Sequence, residues 1–148
     1  MEDYYQASEA DFDRMFSPSK TPVERFKSLI EAIITKQEDM QEKYGQVLGC
    51  PFMCIGSEMA GQEESIRDKA DRIFRRYERY YESAIRDMIT DGVLPKGTDP
   101  TILSSEVYSY ISGQVMMARI QNSIQLLQRD LGNGIFRILG VQAEVGAR

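Results

Sequence analysis

The chain has 148 residues, 42% hydrophobic and 28% charged, with 18 Lys and Arg against 23 Asp and Glu for a formal net charge of −5. That length suits one domain with a core that needs no disulfide or metal to hold it, and the acidic balance argues against gripping nucleic acid, which requires cations to replace counterions on phosphates. No apolar run is long enough to span a membrane, and the absence of histidine removes the commonest general base and metal ligand.

Without histidine, Ser-His-Asp and Cys-His catalysis are excluded, as is a di-iron bundle built on Glu-x-x-His. The acidic start, Met1-Glu2-Asp3, is unlike a signal peptide, so a cytoplasmic protein is expected. Neither a cofactor nor a catalytic or metal site is expected.

Nearly every segment reads as helix. Ser17-Pro18-Ser19-Lys20 breaks the chain, and Thr21-Pro22-Val23-Glu24 forms a capping box, with Thr21 as cap, Pro22 in the first turn and Glu24 reaching back. Phe26, Leu29, Ile30, Ile33, Ile34 and Met40 then recur at helical spacing as far as Gly45. The segment Gly49 to Ala60 is almost uncharged and bounded by glycines, which predicts a short buried helix. After Gly61-Gln62 a long helix carries Ile66, Ala70, Ile73, Phe74, Tyr77, Tyr81, Ala84, Ile85, Met88 and Ile89 on one stripe and stops at Asp91-Gly92.

Gly92-Val93-Leu94-Pro95 reads as extended. Asp99-Pro100 opens the next helix, Asp99 as cap. Its apolar residues, from Ile102 to Ile120, cover more than one face, so it is expected to be buried on two sides. The last helix carries Ile124, Leu127, Leu131, Ile135, Phe136 and Leu139, with an interruption near Gly132-Asn133-Gly134. Residues 141–148 read as a frayed tail. The expected fold is all-α, an antiparallel bundle of about six helices forming a single domain over residues 1–148.

Several patterns invite chemistry. Between residues 63 and 87, Arg67, Lys69, Arg72, Arg75, Arg76, Arg79 and Arg86 are matched in number by Glu63, Glu64, Asp68, Asp71, Glu78, Glu82 and Asp87, which describes a solvated helix face rather than a phosphate-binding patch. Cys50 and Cys54 share a helix face but lack further ligands, so they read as small apolar fillers. Paired acids such as Glu38-Asp39 and Glu63-Glu64 lie on charged faces with nothing to raise their pKa.

The aromatic and methionine residues form a more suggestive group. Phe26, Phe52, Met53, Met59, Phe74, Tyr77, Tyr81, Tyr108 and Met116 fall on inner faces of four helices. They either fill a core or line a cavity for an apolar or aromatic small molecule. On the two-faced helix, Val107, Ile111, Val115 and Ala118 make a stripe, and Gly113 permits close approach of another backbone. With the last helix this predicts an isologous interface with a second copy, a dimeric four-helix bundle.

The segment Gly49-Cys50-Pro51-Phe52 through Met59-Ala60 resembles the short buried helix of TetR-family transcription regulators. The long helix ending near Asp91-Gly92-Val93-Leu94, and the Asp-Pro-started helix running through Ser112-Gly113-Gln114-Val115 to Ala118-Arg119, are also similar to that family. The likeness covers roughly residues 21–140. It implies the C-terminal effector-binding and dimerisation domain of a regulator, in which an inducer shifts linked DNA-reading heads.

The positions this resemblance offers to an effector are Phe26, Ile30, Ile33, Ile34, Phe52, Met53, Ile55, Met59, Phe74, Tyr77, Tyr81 and Tyr108. The positions it offers to a homodimer are Val107, Ile111, Gly113, Val115, Ala118, Ile124, Leu127 and Leu131. Nothing matches the family's N-terminal helix-turn-helix head. Residues 1–16 resemble the helix that follows that head, so operator DNA is expected to be reached only through a head outside this sequence, as in a chain cut from a longer regulator, the other possibility being a domain that lacks the head altogether. The alternatives are a helical interaction module with a solid core and, less favoured, a small helical lyase or metal-dependent bundle.

Overall fold

The computed structural model describes residues 2–142, with side chains from Gln6 onward, so the expected tail lies mostly outside the described residues. Six α-helices and, among the described residues, no strand make up the fold: α1 (Glu2–Met15), α2 (Pro22–Tyr44), α3 (Pro51–Met59), α4 (Glu64–Thr90), α5 (Pro100–Gln121) and α6 (Gly132–Leu139), the last preceded by a π-helical turn over Leu127–Leu131.

Helix α1 turns Phe12 inward, and Phe16 follows it into the core just past the helix end. The Phe12 ring stacks on Tyr77 of α4 with centroids 4.4 Å apart, and Phe16 meets Phe26 of α2 edge-on at 5.7 Å. The turn that follows is fastened by Arg25, a buried cation. Its Nε donates to the Ser17 and Lys20 carbonyls at 3.2 and 3.1 Å, and its Nη1 to Asp87 Oδ2 on α4 at 2.5 Å. A buried guanidinium requires such partners, because an unpaired charge there would be strongly destabilising.

The capping box of α2 is formed in both directions: Glu24 N donates to Thr21 Oγ1 at 3.2 Å and Thr21 N to Glu24 Oε2 at 2.7 Å. Gly45 ends the helix at φ 72, a left-handed conformation glycine adopts without strain. The link to α3 is held by side chains on two helices. Buried Gln37 accepts from Gly49 N at 2.9 Å and donates to Gly49 O at 3.2 Å; Asn122 Oδ1 accepts from Val47 N at 2.9 Å, and Arg119 donates to the Leu48 carbonyl.

Helix α3 buries only Phe52 and Gly56. Glycine is required at 56 because an added Cβ would lie 2.9 Å from the Ala70 methyl of α4. Helix α4 carries its stripe inward, with Ala70, Ile73, Tyr77, Tyr81, Ala84, Ile85 and Met88 buried, and packs most extensively on α5. Its outer face holds local ion pairs such as Arg75–Asp71 and Arg86–Glu82, as a solvated face should. Gly92–Pro95 is a turn rather than an extended piece: the amides of Val93 and Leu94 both bond back to the Met88 carbonyl, at 2.8 and 3.1 Å, which folds the chain over the helix end.

Asp99 caps α5, accepting from the amides of Thr101 and Ile102 at 2.9 and 3.1 Å. The interruption expected near Gly132–Gly134 occurs earlier, as the π-helical turn at Leu127–Leu131. There the Tyr110 hydroxyl donates to the Asp130 carbonyl at 2.9 Å. Tyr110 also lies directly over Gly134, where any Cβ would fall 2.0 Å from its ring.

The stripe expected to face a second copy faces inward instead. Val107, Ile111, Val115 and Ala118 are at most 6% exposed, packed in the chain's own core, and Leu127 and Leu131 have no surface left. Periodicity shows that α5 is apolar on two sides but not which side its own fold covers. The side left open carries Ile102 (60% exposed), Met117 (42%) and Ile120 (68%), with Gly113 facing open space between them. Ile124 is half-buried.

Candidate ligand cavity

Helical spacing brings polar and aromatic groups together in pairs. Tyr77 and Tyr81 stand one turn apart on α4, as do Tyr108 and Ser112 on α5, so each pair shares a face. These faces meet α1, α2 and the start of α3 around a cavity of about 610 Å³. Helix α1 contributes Ser8, Phe12 and Met15; α2 contributes Leu29, Ile33 and Gln37; the α3 region contributes Cys50, Phe52 and Met53; α5 adds Ile111 and Val115. The size and the mostly apolar lining are those of a site for a small organic molecule.

The buried polar atoms in this wall are neutral. Burial pushes the Tyr81 phenol well above its ordinary pKa, raises Tyr108 in the same way, and raises the Cys50 thiol, so all three keep their protons. The Ser8 and Tyr77 hydroxyls bond to each other at 2.8 Å. Ser112 Oγ lies beside the Tyr108 hydroxyl and interacts with it, and has no other hydrogen-bond partner among the described residues. The charged residues that border the cavity, Asp11, Arg14, Glu31, Lys36 and Asp39, are all exposed.

Of the positions proposed for an effector, Ile33, Phe52, Met53, Tyr77, Tyr81 and Tyr108 line this cavity. Phe26 is fully buried between Phe16 and Tyr81. Ile30 and Ile34 border a second, shallower groove with Lys27, Gly132 and Phe136, where α2 passes α6. Ile55 is exposed, Met59 is half-buried outside the wall, and Phe74 packs against the Tyr108 ring at 5.7 Å without reaching the cavity.

Ile111 and Val115, expected at a dimer interface, are wall residues. Ser8, Phe12, Met15, Leu29 and Ser112 also line the cavity, though the sequence marks Leu29 only as part of a helix stripe and gives the others no site role. The i, i+4, i+7 spacing of Ser8, Phe12 and Met15, and the position of Ser112 one turn beyond Tyr108, were the signals available.

Among the described residues no group of three or more His, Cys, Asp or Glu side chains converges to hold a metal. No helix there is long and apolar enough to cross a membrane. A helical fold built around an apolar, hydroxyl-studded cavity is the form of a ligand-sensing domain. Residues 22–131 match the family described as Tetracyclin repressor-like, C-terminal domain, and the chain belongs to that family; no helix-turn-helix domain is matched. The match takes in α2 to α5 and the π-helical turn, and so most of the cavity wall. Such domains are the ligand-binding and dimerisation parts of transcription regulators. No curated protein and no solved structure matches the chain.

Proposed function

We propose that this domain senses a small apolar or aromatic effector for a cytoplasmic TetR-type repressor, acting as a homodimer and reaching operator DNA through an N-terminal head. The observation that carries this reading is the cavity of about 610 Å³ with tyrosine and serine hydroxyls in an apolar wall. A solid-core interaction module, the main alternative, has no use for such a space, since native interiors otherwise pack to the density of organic crystals.

The mechanism is a shift of population. Helix α1 both lines the cavity and is fastened to α4 by the Ser8–Tyr77 hydrogen bond, the Glu9–Arg76 ion pair and the Tyr80–Asp13 hydrogen bond. An effector that prefers one placement of α1 stabilises that placement, and α1 carries the change to the heads. The second copy docks on the outer side of α5, around Gly113, Met117 and Ile120.

A thermal-shift screen of aromatic compounds tests the reading. A ligand at 100 times its Kd should add about 2.7 kcal/mol of stability. If no compound in a broad aromatic set stabilises the protein, the effector reading fails.

A further inference from the structure

We propose that the effector is an uncharged ring compound whose hydroxyl or carbonyl oxygen bonds to Ser112 and Tyr108; this rests on the cavity being the effector site. Ser112 Oγ is buried in the wall, and beyond the neighbouring Tyr108 hydroxyl it has no hydrogen-bond partner among the described residues. Folded proteins leave few buried polar atoms unsatisfied, and one facing a cavity marks a place where a bound molecule completes the bonding. Ser112 and Tyr108 each offer a donor and an acceptor. Side by side, they can receive a ligand hydroxyl in both directions or donate to a carbonyl.

The apolar remainder of the wall argues for a ring. Phe52, Tyr81 and Val115 present flat or rounded hydrocarbon surface to the same space. Charge argues for neutrality. The ionisable groups that carry charge stand exposed at the border, and Arg14 there is already paired with Asp11. An ionised ligand held against Phe52, Tyr81 and Ser112 would give up water for a wall whose charged members, Arg14 and Lys36 against Asp11, Glu31 and Asp39, are all exposed and screened by solvent. Because burial holds the tyrosines protonated, they serve as neutral hydroxyls and not as phenolate partners for a cation.

The test compares three probes of one shape at pH 7: phenanthrene, 9-phenanthrol and phenanthrene-9-carboxylate, titrated by fluorescence. The phenanthrol should bind about tenfold more tightly than either of the others, the value of one good hydrogen bond. Ser112→Ala should reduce the ratio between phenanthrol and phenanthrene to about threefold or less, and Tyr108→Phe gives the same reading should the first variant fold poorly. Carboxylate binding as tight as phenanthrol, no preference for phenanthrol over phenanthrene, or a ratio that survives both substitutions would overturn the polar anchor and leave the effector cavity standing. Failure of all three probes to bind would overturn both.

Discussion

The Ser8 hydroxyl lies 2.8 Å from the Tyr77 hydroxyl, so α1 and the aromatic wall of the cavity share a hydrogen bond between residues 69 positions apart. Tyr77→Phe deletes that bond and keeps the ring that stacks on Phe12. The variant should lose about 0.5–1.5 kcal/mol in chemical denaturation, with faster amide exchange confined to α1. Unchanged exchange in α1 would show that the bond does not hold the helix.

Burial of Tyr81 and Tyr108 gives the domain a pH dependence. Both phenols have folded pKa values raised above the unfolded one. Their contribution is therefore fully present below about pH 10, where unfolded tyrosine titrates, and is lost as pH rises beyond it, because the unfolded chain then releases protons that the folded chain keeps. Denaturation midpoints measured from pH 8 to 11 should fall at the alkaline end, and less steeply for Tyr81→Phe than for the parent. Parallel curves for the two proteins would contradict this.

Gly134 and Tyr110 form a pair that can be tested by exchange of partners. Gly134→Ala places a methyl within 2.0 Å of the Tyr110 ring position and should cost about 3 kcal/mol, at the upper end for overpacking. Tyr110→Ala should lose less when made on top of Gly134→Ala than when made alone, giving a clear coupling in a double-mutant cycle. Strict additivity would mean that the two do not meet.

What could be read from the sequence was local chemistry. Thr21 and Asp99 cap their helices with the bonds their side chains predict, Gly45 stops α2, and α4 buries the stripe its spacing marks. What could not be read depended on which surfaces meet. Two apolar stripes on α5 look alike to periodicity, yet Val107 to Ala118 joined the protein's own core and the Met117 side stayed open. Half of the proposed effector positions line the cavity. The others miss it because an apolar residue on an inner face, such as Phe26 or Phe74, can equally serve packing. The share of α1 in the wall, through Ser8, Phe12 and Met15, emerges only when that helix is folded back on α4. The π-helical turn at Leu127–Leu131 goes with the Tyr110 hydroxyl bonded to the Asp130 carbonyl, a contact between residues 20 apart.

The open side of α5 gives a direct prediction for assembly. Met117→Glu, at a position already 42% exposed, should change the stability of a protomer by no more than about 0.5 kcal/mol yet convert the proposed homodimer to monomer in light scattering. A dimer that persists with this charge on α5 would place the interface elsewhere.

The cavity itself is tested most directly by filling it. Val115 lines the space and is 6% exposed. Val115→Phe in an effector-sized cavity should alter stability by less than about 1 kcal/mol, because there is room for the ring, while weakening aromatic ligand binding at least about tenfold in calorimetric titration. Loss of about 1–3 kcal/mol or more, as in an already packed core, together with undiminished ligand binding would contradict the account.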